Sequence, residues 1–452
     1  MSTNNMTRRD FCKGASAGIA GIIASGAAPS LYAAGANEKI RVACVGFSDR
    51  FKDTLLPCFL GQSKQLGFEM VAVADLWKKR LYEKAVPELE KRTGNKIQAF
   101  SSDVELYEKG KDIDAVIIST ADFQHARHAA RAVEAGKDVY CEKPMAEDMR
   151  SANLLLDAVE AKRKAGFAPG AVLQIGSQRR SGDAYHAAKQ FLESGRFGRL
   201  TYVDLCWNVN QPRRWRRDEK LVKSLKKEDI DWNAWLLDRD PEEYKFDPRK
   251  YLEFRLFWPF SSGIPGQWMC HQIDTVGWFT GLKYPLSAVS SGGIYAWNDG
   301  RMSFDTFTTI LEYGPSKLND KGFQAVFSSR QTNQERGNVE RYYGPDCVID
   351  LCRGRYTSYK SRKSGKLTEN YQAAETAANT GADKLTSAHM YNWMKCIKDR
   401  KNPNAPVEAG YGHTIALVMS NAACRTGKKA TFDEKTRQVM VDGKPWIGYK
   451  AV

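Results

Sequence analysis

Apolar residues fall into two textures along this chain. From residue 39 to about 176, short uninterrupted apolar runs alternate with amphipathic stretches. Residues 40–46 (IRVACVG), 68–75 (FEMVAVAD), 115–120 (AVIIST), 138–141 (DVYC) and 171–176 (AVLQIG) read as buried strands. Residues 77–93, 125–135 and 151–166 read as helices between them. Near-continuous apolar strands separated by helices predict a parallel sheet covered on both faces, the doubly wound α/β class.

Beyond about residue 198 the texture changes. Residues 200–208, 286–297, 304–313, 322–329 and 347–352 read as strands that follow one another with few helices. Runs such as 306–312 alternate apolar and polar, which predicts an antiparallel or mixed sheet with one wetter face. The second part is therefore expected to be an α+β domain with a large open sheet. The stretch 321–381 is polar, contains glycines and resists assignment. No internal repeat or low-complexity tract stands out. The divisions expected are 1–36, 37–176 and 177–452.

The length of 452 residues suits two domains, and the formal net charge of +15 raises the question of an acidic partner. Part of the answer lies at the N-terminus. Arg8, Arg9 and Lys13 precede a short Gly- and Ala-rich apolar run, and Ala34-Gly35-Ala36 offers small residues for cleavage. A basic head, a greasy stretch and an A-x-A end describe a secretory signal, and the paired arginines before Phe11 resemble the twin-arginine type. A periplasmic protein with no membrane span is expected, since a span needs about 20 apolar residues. The ten cysteines show no C-x-x-C or zinc spacing, so no metal site is expected. Cys347 and Cys352 are close in sequence, but folding in the reducing cytoplasm argues against a disulfide between them.

The first apolar strand ends in Val45-Gly46-Phe47-Ser48-Asp49-Arg50. A dinucleotide-binding turn at this place lets backbone amides approach a pyrophosphate at a helix N-terminus. Of the usual three glycines only Gly46 is present, so this feature alone is weak. The second strand ends in Asp75, where a carboxylate can accept hydrogen bonds from the adenosine ribose hydroxyls. Such a charge repels a 2′-phosphate and favours NAD over NADP, although Lys78, Lys79 and Arg80 stand near enough to receive that phosphate. Asp75 could equally serve as a helix N-cap.

Gly136-Lys137-Asp138-Val139-Tyr140-Cys141-Glu142-Lys143-Pro144 resembles the G-K-x-V-x-x-E-K-P signature of the Gfo/Idh/MocA oxidoreductases (glucose–fructose oxidoreductase/inositol dehydrogenase type). Ile118-Ser119-Thr120-Ala121 with His125, the run Gly176-Ser177-Gln178-Arg179-Arg180, the segment Gln211-Pro212-Arg213-Arg214-Trp215-Arg216, Val407-Glu408 and 421–427 are similar to further segments of that family, in the same order. The resemblance implies a Rossmann domain followed by an open-sheet domain, with a sugar or polyol oxidised by NAD between them. It places Gly46, Phe47, Ser48, Asp75, Thr120, His125, Glu142, Lys143, Gln178, Trp215 and Arg216 around the cofactor. Lys143 would polarise or accept the alcohol proton, its pKa lowered by burial, with Glu142 orienting it. Residues 263–274 resemble the family helix that carries Asp and His four apart, on one helical face. Here His271 matches the histidine and Gln267 stands in place of the Asp. Glutamine can bind a hydroxyl but cannot take a proton, so Asp274 is the residue left to orient the imidazole. Arg179, Gln267, His271, Asp274 and Lys143 would face the substrate.

Three functions compete. One is a dehydrogenase acting on a sugar hydroxyl with tightly bound NAD. A second is a redox-neutral glycosidase that uses bound NAD, as some members of that superfamily are. A third is a non-catalytic basic protein, with Arg213–Arg217 and the run 360–366 as its charged patches. Export removes a protein from nucleic acid, so no nucleic-acid partner is expected, and a homo-oligomer is.

Overall fold

A computed structural model describes residues 39–166, 170–358, 366–370 and 383–448. Residues 1–36, read above as a signal, and residues 360–365 of the basic run lie outside the described residues.

Six strands form the first sheet: β1 (Ile40–Val45), β2 (Phe68–Ala74), β3 (Gln98–Phe100), β4 (Ala115–Ile118), β5 (Asp138–Cys141) and β6 (Leu173–Ile175). Their order is β3-β2-β1-β4-β5-β6, every pair parallel. This is the doubly wound arrangement, with the chain reversing direction between β1 and β4. Four strands are buried along almost their whole length because helices cover both faces. The helices His125–Glu134 and Met149–Lys164 pack on one side, and Leu56–Leu66 on the other. A late helix, Lys384–Asp399, joins the second side through Met390, Trp393, Met394 and Ile397, which pack with the residues of β1 and β2.

The second sheet has eleven strands. They are β7 (Tyr202–Trp207), β8 (Ser287–Gly293), β9 (Thr306–Tyr313), β10 (Phe323–Arg330), β11 (Asn338–Tyr343), β12 (Cys347–Asp350), β13 (Arg355–Ser358), β14 (Lys366–Asn370), β15 (Ala430–Asp433), β16 (Gln438–Val441) and β17 (Lys444–Pro445). Their order is β14-β13-β12-β11-β7-β10-β9-β8-β15-β16-β17, and only β7 and β10 run parallel. In β9 the inward residues Phe307, Thr309, Leu311 and Tyr313 are buried while Thr308, Ile310 and Glu312 face outward. That is the alternation the sequence carries. The inner face packs against the helices Cys270–Thr280 and Val407–Thr426, and the latter is buried nearly all round. Among the described residues no helix is long and apolar enough to cross a membrane.

Three helical runs contain a π turn, and each lies at a proline. Phe51–Leu55 and Leu81–Ala85 precede Pro57 and Pro87, and Pro265–Met269 begins with Pro265. In the first two runs the proline ring clashes with the carbonyl four residues back and has no N–H to give, so the turn before it widens, whereas Pro265 stands in the first turn of its helix, where a proline is tolerated. The third π turn lies at the functional site.

Candidate active site

The carboxyl ends of β1, β2 and β4 meet at one cleft, lined by Gly46, Phe47, Ser48, Asp75 and Thr120. Gly46 sits at φ +86°, and a Cβ there would lie 2.7 Å from Thr120 Cγ2 and 3.0 Å from the Ser119 carbonyl. Only glycine closes this turn. Ser48, where a Rossmann turn would have its second glycine, accepts the Phe51 amide at 3.2 Å and bonds Ser119 Oγ at 2.5 Å. Its hydroxyl thus caps the helix start. The Asp75 carboxylate accepts from the amides of Phe47 and Trp77, both at 2.9 Å, and from Arg80 at 3.0 and 2.9 Å. It is the hub of the cleft; the helix that follows is capped by Trp77, not by Asp75, whose carboxylate instead ties the turn after β1 to Trp77 and Arg80.

Residues 217–255 form a roof over the cleft. Arg217 donates to Asp49 at 2.7 Å, Tyr251 accepts from Arg80 at 2.9 Å, and Gln124 donates to the Trp235 carbonyl at 2.7 Å. Trp232, Trp235, Tyr251, Leu256 and Phe260 cluster with Trp77, Ala121 and Phe123 of the first sheet's side. The aromatic run 244–260 is therefore core that ties the roof down. A dinucleotide fits this place on two counts. The turn at Gly46 leaves backbone where a side chain would otherwise stand, and Thr120 Oγ1 is buried at the cleft without a partner.

At the end of β5, Lys143 Nζ donates to the Gln267 carbonyl at 2.8 Å. That bond joins the two halves of the molecule at the expected residues. Burial lowers the Lys143 pKa, partly opposed by Cys270, Glu142 and Asp122. His271, one turn further along the second-domain helix, is 6 % exposed. Burial, then the Lys143 and Arg179 charges, holds its pKa well below the usual histidine value, so its ring is neutral at physiological pH. Its ring lies 5.8 Å from that of Trp207, which stacks on Trp268 at 6.3 Å. His125 binds the Pro144 carbonyl through Nδ1 at 2.8 Å and so fixes the backbone beside Lys143.

Several expected partners are different. Glu142 does not hold the Lys143 ammonium; its carboxylate accepts from Arg50 Nε at 2.8 Å and from the Lys143 backbone amide at 3.0 Å. Asp274 does not orient His271. Arg180 grips it at 3.1 and 2.8 Å, and His413 stands 4.0 Å away. Three residues along a helix do not bring two side chains together when an arginine Nε shared between both carboxylate oxygens claims one of them. Arg179 is only 1 % exposed and pairs with Glu340 of β11, its guanidinium over Tyr185 and Trp207 at 5.4 and 5.5 Å, so it is a buried support rather than a substrate contact. Arg216 is taken by Glu253 at 3.1 Å and faces Asp299 at 3.7 Å; its neighbour Arg217 lines the cleft instead. Trp215 packs against Trp268 at 5.8 Å, beside the Gln267 helix rather than along the cleft. Gln178 is buried just after β6. The spacing from Gln267 to His271 is not α-helical, because the π turn Pro265–Met269 contains Gln267.

Sequence reading missed Asp122, Glu147, Ser261 and Ser262. Asp122 is fully buried in the turn after β4, and its Oδ2 accepts from Ser261 Oγ and Gln267 Nε2, both at 2.6 Å. The one available signal was its place between Thr120 and His125 in a segment already singled out.

Residues 40–169 match the family model for the Gfo/Idh/MocA "oxidoreductase family, NAD-binding Rossmann fold". This segment is an NAD-binding Rossmann domain of that family. Inositol 2-dehydrogenase 2 of Saccharopolyspora erythraea is 35 % identical over 130 residues, covering 28 % of this chain and 36 % of that protein. Levoglucosan dehydrogenase of Pseudarthrobacter phenanthrenivorans is 33 % identical over 119 residues, covering 25 % and 29 %. The matched segment is thus about a third of the length of these relatives. The whole fold is similar to WlbA dehydrogenase of Bordetella pertussis, solved with NADH and UDP-GlcNAcA (TM-score 0.60, 17 % identity, 88 % of this chain and 99 % of that one). It is also similar to levoglucosan dehydrogenase solved with NADH and L-sorbose (TM-score 0.62, 15 % identity, 88 % and 100 %). At these identities the likeness is one of fold.

Proposed function

We propose that this protein transfers hydride between nicotinamide and a carbinol carbon of a sugar or sugar derivative, keeping its NAD bound throughout. The observation that carries the reading is the Lys143–Gln267 bond, which sets a half-buried lysine from the dinucleotide domain against the second domain beside His271. Gly46, Phe47, Ser48, Asp75 and Thr120 would hold the dinucleotide, with Arg217 and Tyr251 closing over it. Bound NAD supplies the hydride acceptor. Lys143 takes the hydroxyl proton as the carbon is oxidised; its lowered pKa makes the neutral amine accessible. Neutral His271 is a second acceptor, and Trp207 and Trp268 offer aromatic faces beside it.

The roof supports retained cofactor, since release requires parting the Arg217–Asp49 and Arg80–Tyr251 contacts. The signal read in residues 1–36 gives a reason for retention, because a periplasmic enzyme has no evident nucleotide pool to draw on. The same argument favours a redox-neutral cycle, in which hydride returns to the same or a second sugar, as in a glycosidase using bound NAD. A basic binding protein has less behind it, because Arg216 is spent on the buried Glu253 and Arg217 pairs with Asp49 at the surface. The outer face of β8 and β9, which exposes Leu286, Val289 and Ile310, supports a homo-oligomer.

The test uses protein purified without added nucleotide. Mass spectrometry of the denatured supernatant should find NAD near one per chain. Turnover of D-glucose, myo-inositol or levoglucosan, or cleavage of a nitrophenyl glycoside, should proceed with none added. Empty protein that needs stoichiometric NAD for every activity would sink the retained-cofactor reading.

A further inference from the structure

Gln267 stands where the family pattern has an aspartate, and its side-chain amide is held on one side only. Its Nε2 donates to Asp122 Oδ2 at 2.6 Å, and the same oxygen accepts from Ser261 Oγ at 2.6 Å. We propose that Asp122 is a positioning residue that locks the Gln267 amide in one orientation, making Gln267 Oε1 a fixed acceptor for a substrate hydroxyl beside Lys143. This inference rests on the functional reading above.

The argument is one of donors and acceptors. A carboxylate oxygen only accepts, so the amide must turn its NH2 toward Asp122 and its oxygen away. Among the described residues Gln267 Oε1 has no hydrogen-bond partner, and the residue as a whole is 9 % exposed. The backbone carbonyl of the same residue holds Lys143 Nζ at 2.8 Å. One residue therefore anchors the lysine through its main chain and presents an acceptor through its side chain. Asp122 is itself pinned: it is fully buried, and Arg255 approaches its Oδ1 at 3.5 Å. Behind the helix, Glu147 accepts the Ser262 amide at 3.1 Å and lies so near Gly266 that a Cβ there would fall 2.6 Å from its Oε1. Burial and the neighbouring Asp122 push Glu147 up to about 8, so it is mostly protonated at neutral pH.

The consequence is a division of labour. Gln267 orients a hydroxyl and cannot remove its proton, which leaves the proton to Lys143 and His271. Loss of Asp122 should therefore appear in substrate binding more than in the chemical step, because a freed amide presents NH2 as often as oxygen.

The experiment uses NAD-loaded full-length protein with D-glucose, myo-inositol and levoglucosan as probes. Asp122→Asn should raise KM about tenfold on the best probe while kcat stays within about threefold. Gln267→Glu alone sets two carboxylates against each other and should also raise KM. The double variant Asp122→Asn/Gln267→Glu restores a donor on one side and an acceptor oxygen on the other, and should return KM to within about threefold of wild type. A purely structural role for Asp122 would give no such rescue. NAD affinity by tryptophan quenching should be unchanged throughout. If Asp122→Asn does not fold, Gln267→Met removes the acceptor directly and should raise KM alone. Wild-type KM in Asp122→Asn or Gln267→Met, or a double variant no better than its worse parent, overturns the inference. A wild-type protein that turns over none of the probes overturns the functional reading, and this inference with it.

Discussion

The Asp75 carboxylate has room for about four hydrogen bonds, and all four are taken. Oδ2 accepts from Phe47 N and Arg80 Nε, and Oδ1 from Trp77 N and Arg80 Nη2. The two amides belong to the turn after β1 and the start of a helix, and cannot withdraw without unmaking both. Ribose hydroxyls can therefore reach Asp75 only by displacing Arg80. That side chain is 27 % exposed, and it rests between Trp77 and Tyr251 at 5.2 and 5.8 Å, so it has somewhere to go. The Asp75 side chain is 1 % exposed, so exchanging its Arg80 bonds for ribose hydroxyls costs at least the ~1 kcal/mol of an exposed pair. Arg80→Met removes the competitor and should tighten NAD binding by roughly fivefold or more, since 1.4 kcal/mol corresponds to about tenfold. Asp75→Ala removes the acceptor instead. Two charge-assisted hydrogen bonds at about 1.5 kcal/mol each predict a loss of roughly a hundredfold. The same substitution strands the Phe47 and Trp77 amides, so the melting temperature should fall as well. The assay is calorimetric titration of nucleotide-stripped protein with NAD. Arg80→Met binding NAD tenfold more weakly, or Asp75→Ala binding it unchanged, would refute the competition argument.

Two further predictions follow from the same geometry. Lys143→Ala and His271→Ala should each lower kcat by about a hundredfold or more with the circular dichroism unchanged, and the double variant should cost far less than the product; strictly multiplicative losses would show that the two do not share a proton path. Glu147 has its folded pKa raised from 4.5 to about 8, so the stability tied to its proton is full below pH 4.5 and lost as pH rises toward 8, at up to about 1.4 kcal/mol per pH unit. Glu147→Gln should flatten that part of a urea-unfolding profile taken from pH 5 to 8, and parallel profiles would mean that Glu147 titrates normally.

What the sequence made legible follows physical lines. Strands β1, β2, β4 and β5 were readable because burial on both faces demands uninterrupted apolar residues. β3 was not: three residues, with Gln98 exposed and only Phe100 buried, leave no run to detect. β11 was hidden by Glu340, a buried acid inside a strand, whose burial is tolerable only because Arg179 arrives from far along the chain. The helix Val407–Thr426 was missed for the opposite reason, since burial nearly all round erases the amphipathic period. Gly46, Asp75 and Thr120 line one cleft because each ends or follows a parallel strand, and such ends converge on one edge; Lys143, after β5, is not part of that lining.

Partner identities were a different matter, and Gln267 shows why. A spacing of four was read as one face of an α-helix, which would have paired Gln267 with His271 and left Asp274 to help. The turn that holds Gln267 follows another rule. A π turn takes more residues than an α turn, so positions 267 and 271 no longer stack in α-helical fashion. Gln267 bonds Asp122 from the other domain, while His271 faces Trp207 of β7. Pro57 and Pro87 mark π turns in two other helices, where a proline within a helical run warns that the turn before it will not keep α spacing; Pro265 opens its helix, so the π turn at Gln267 carries no such signal in the sequence. An aspartate missing from the second domain therefore does not leave the site without a carboxylate. One arrives from the turn after β4, and it acts on the amide rather than on the histidine.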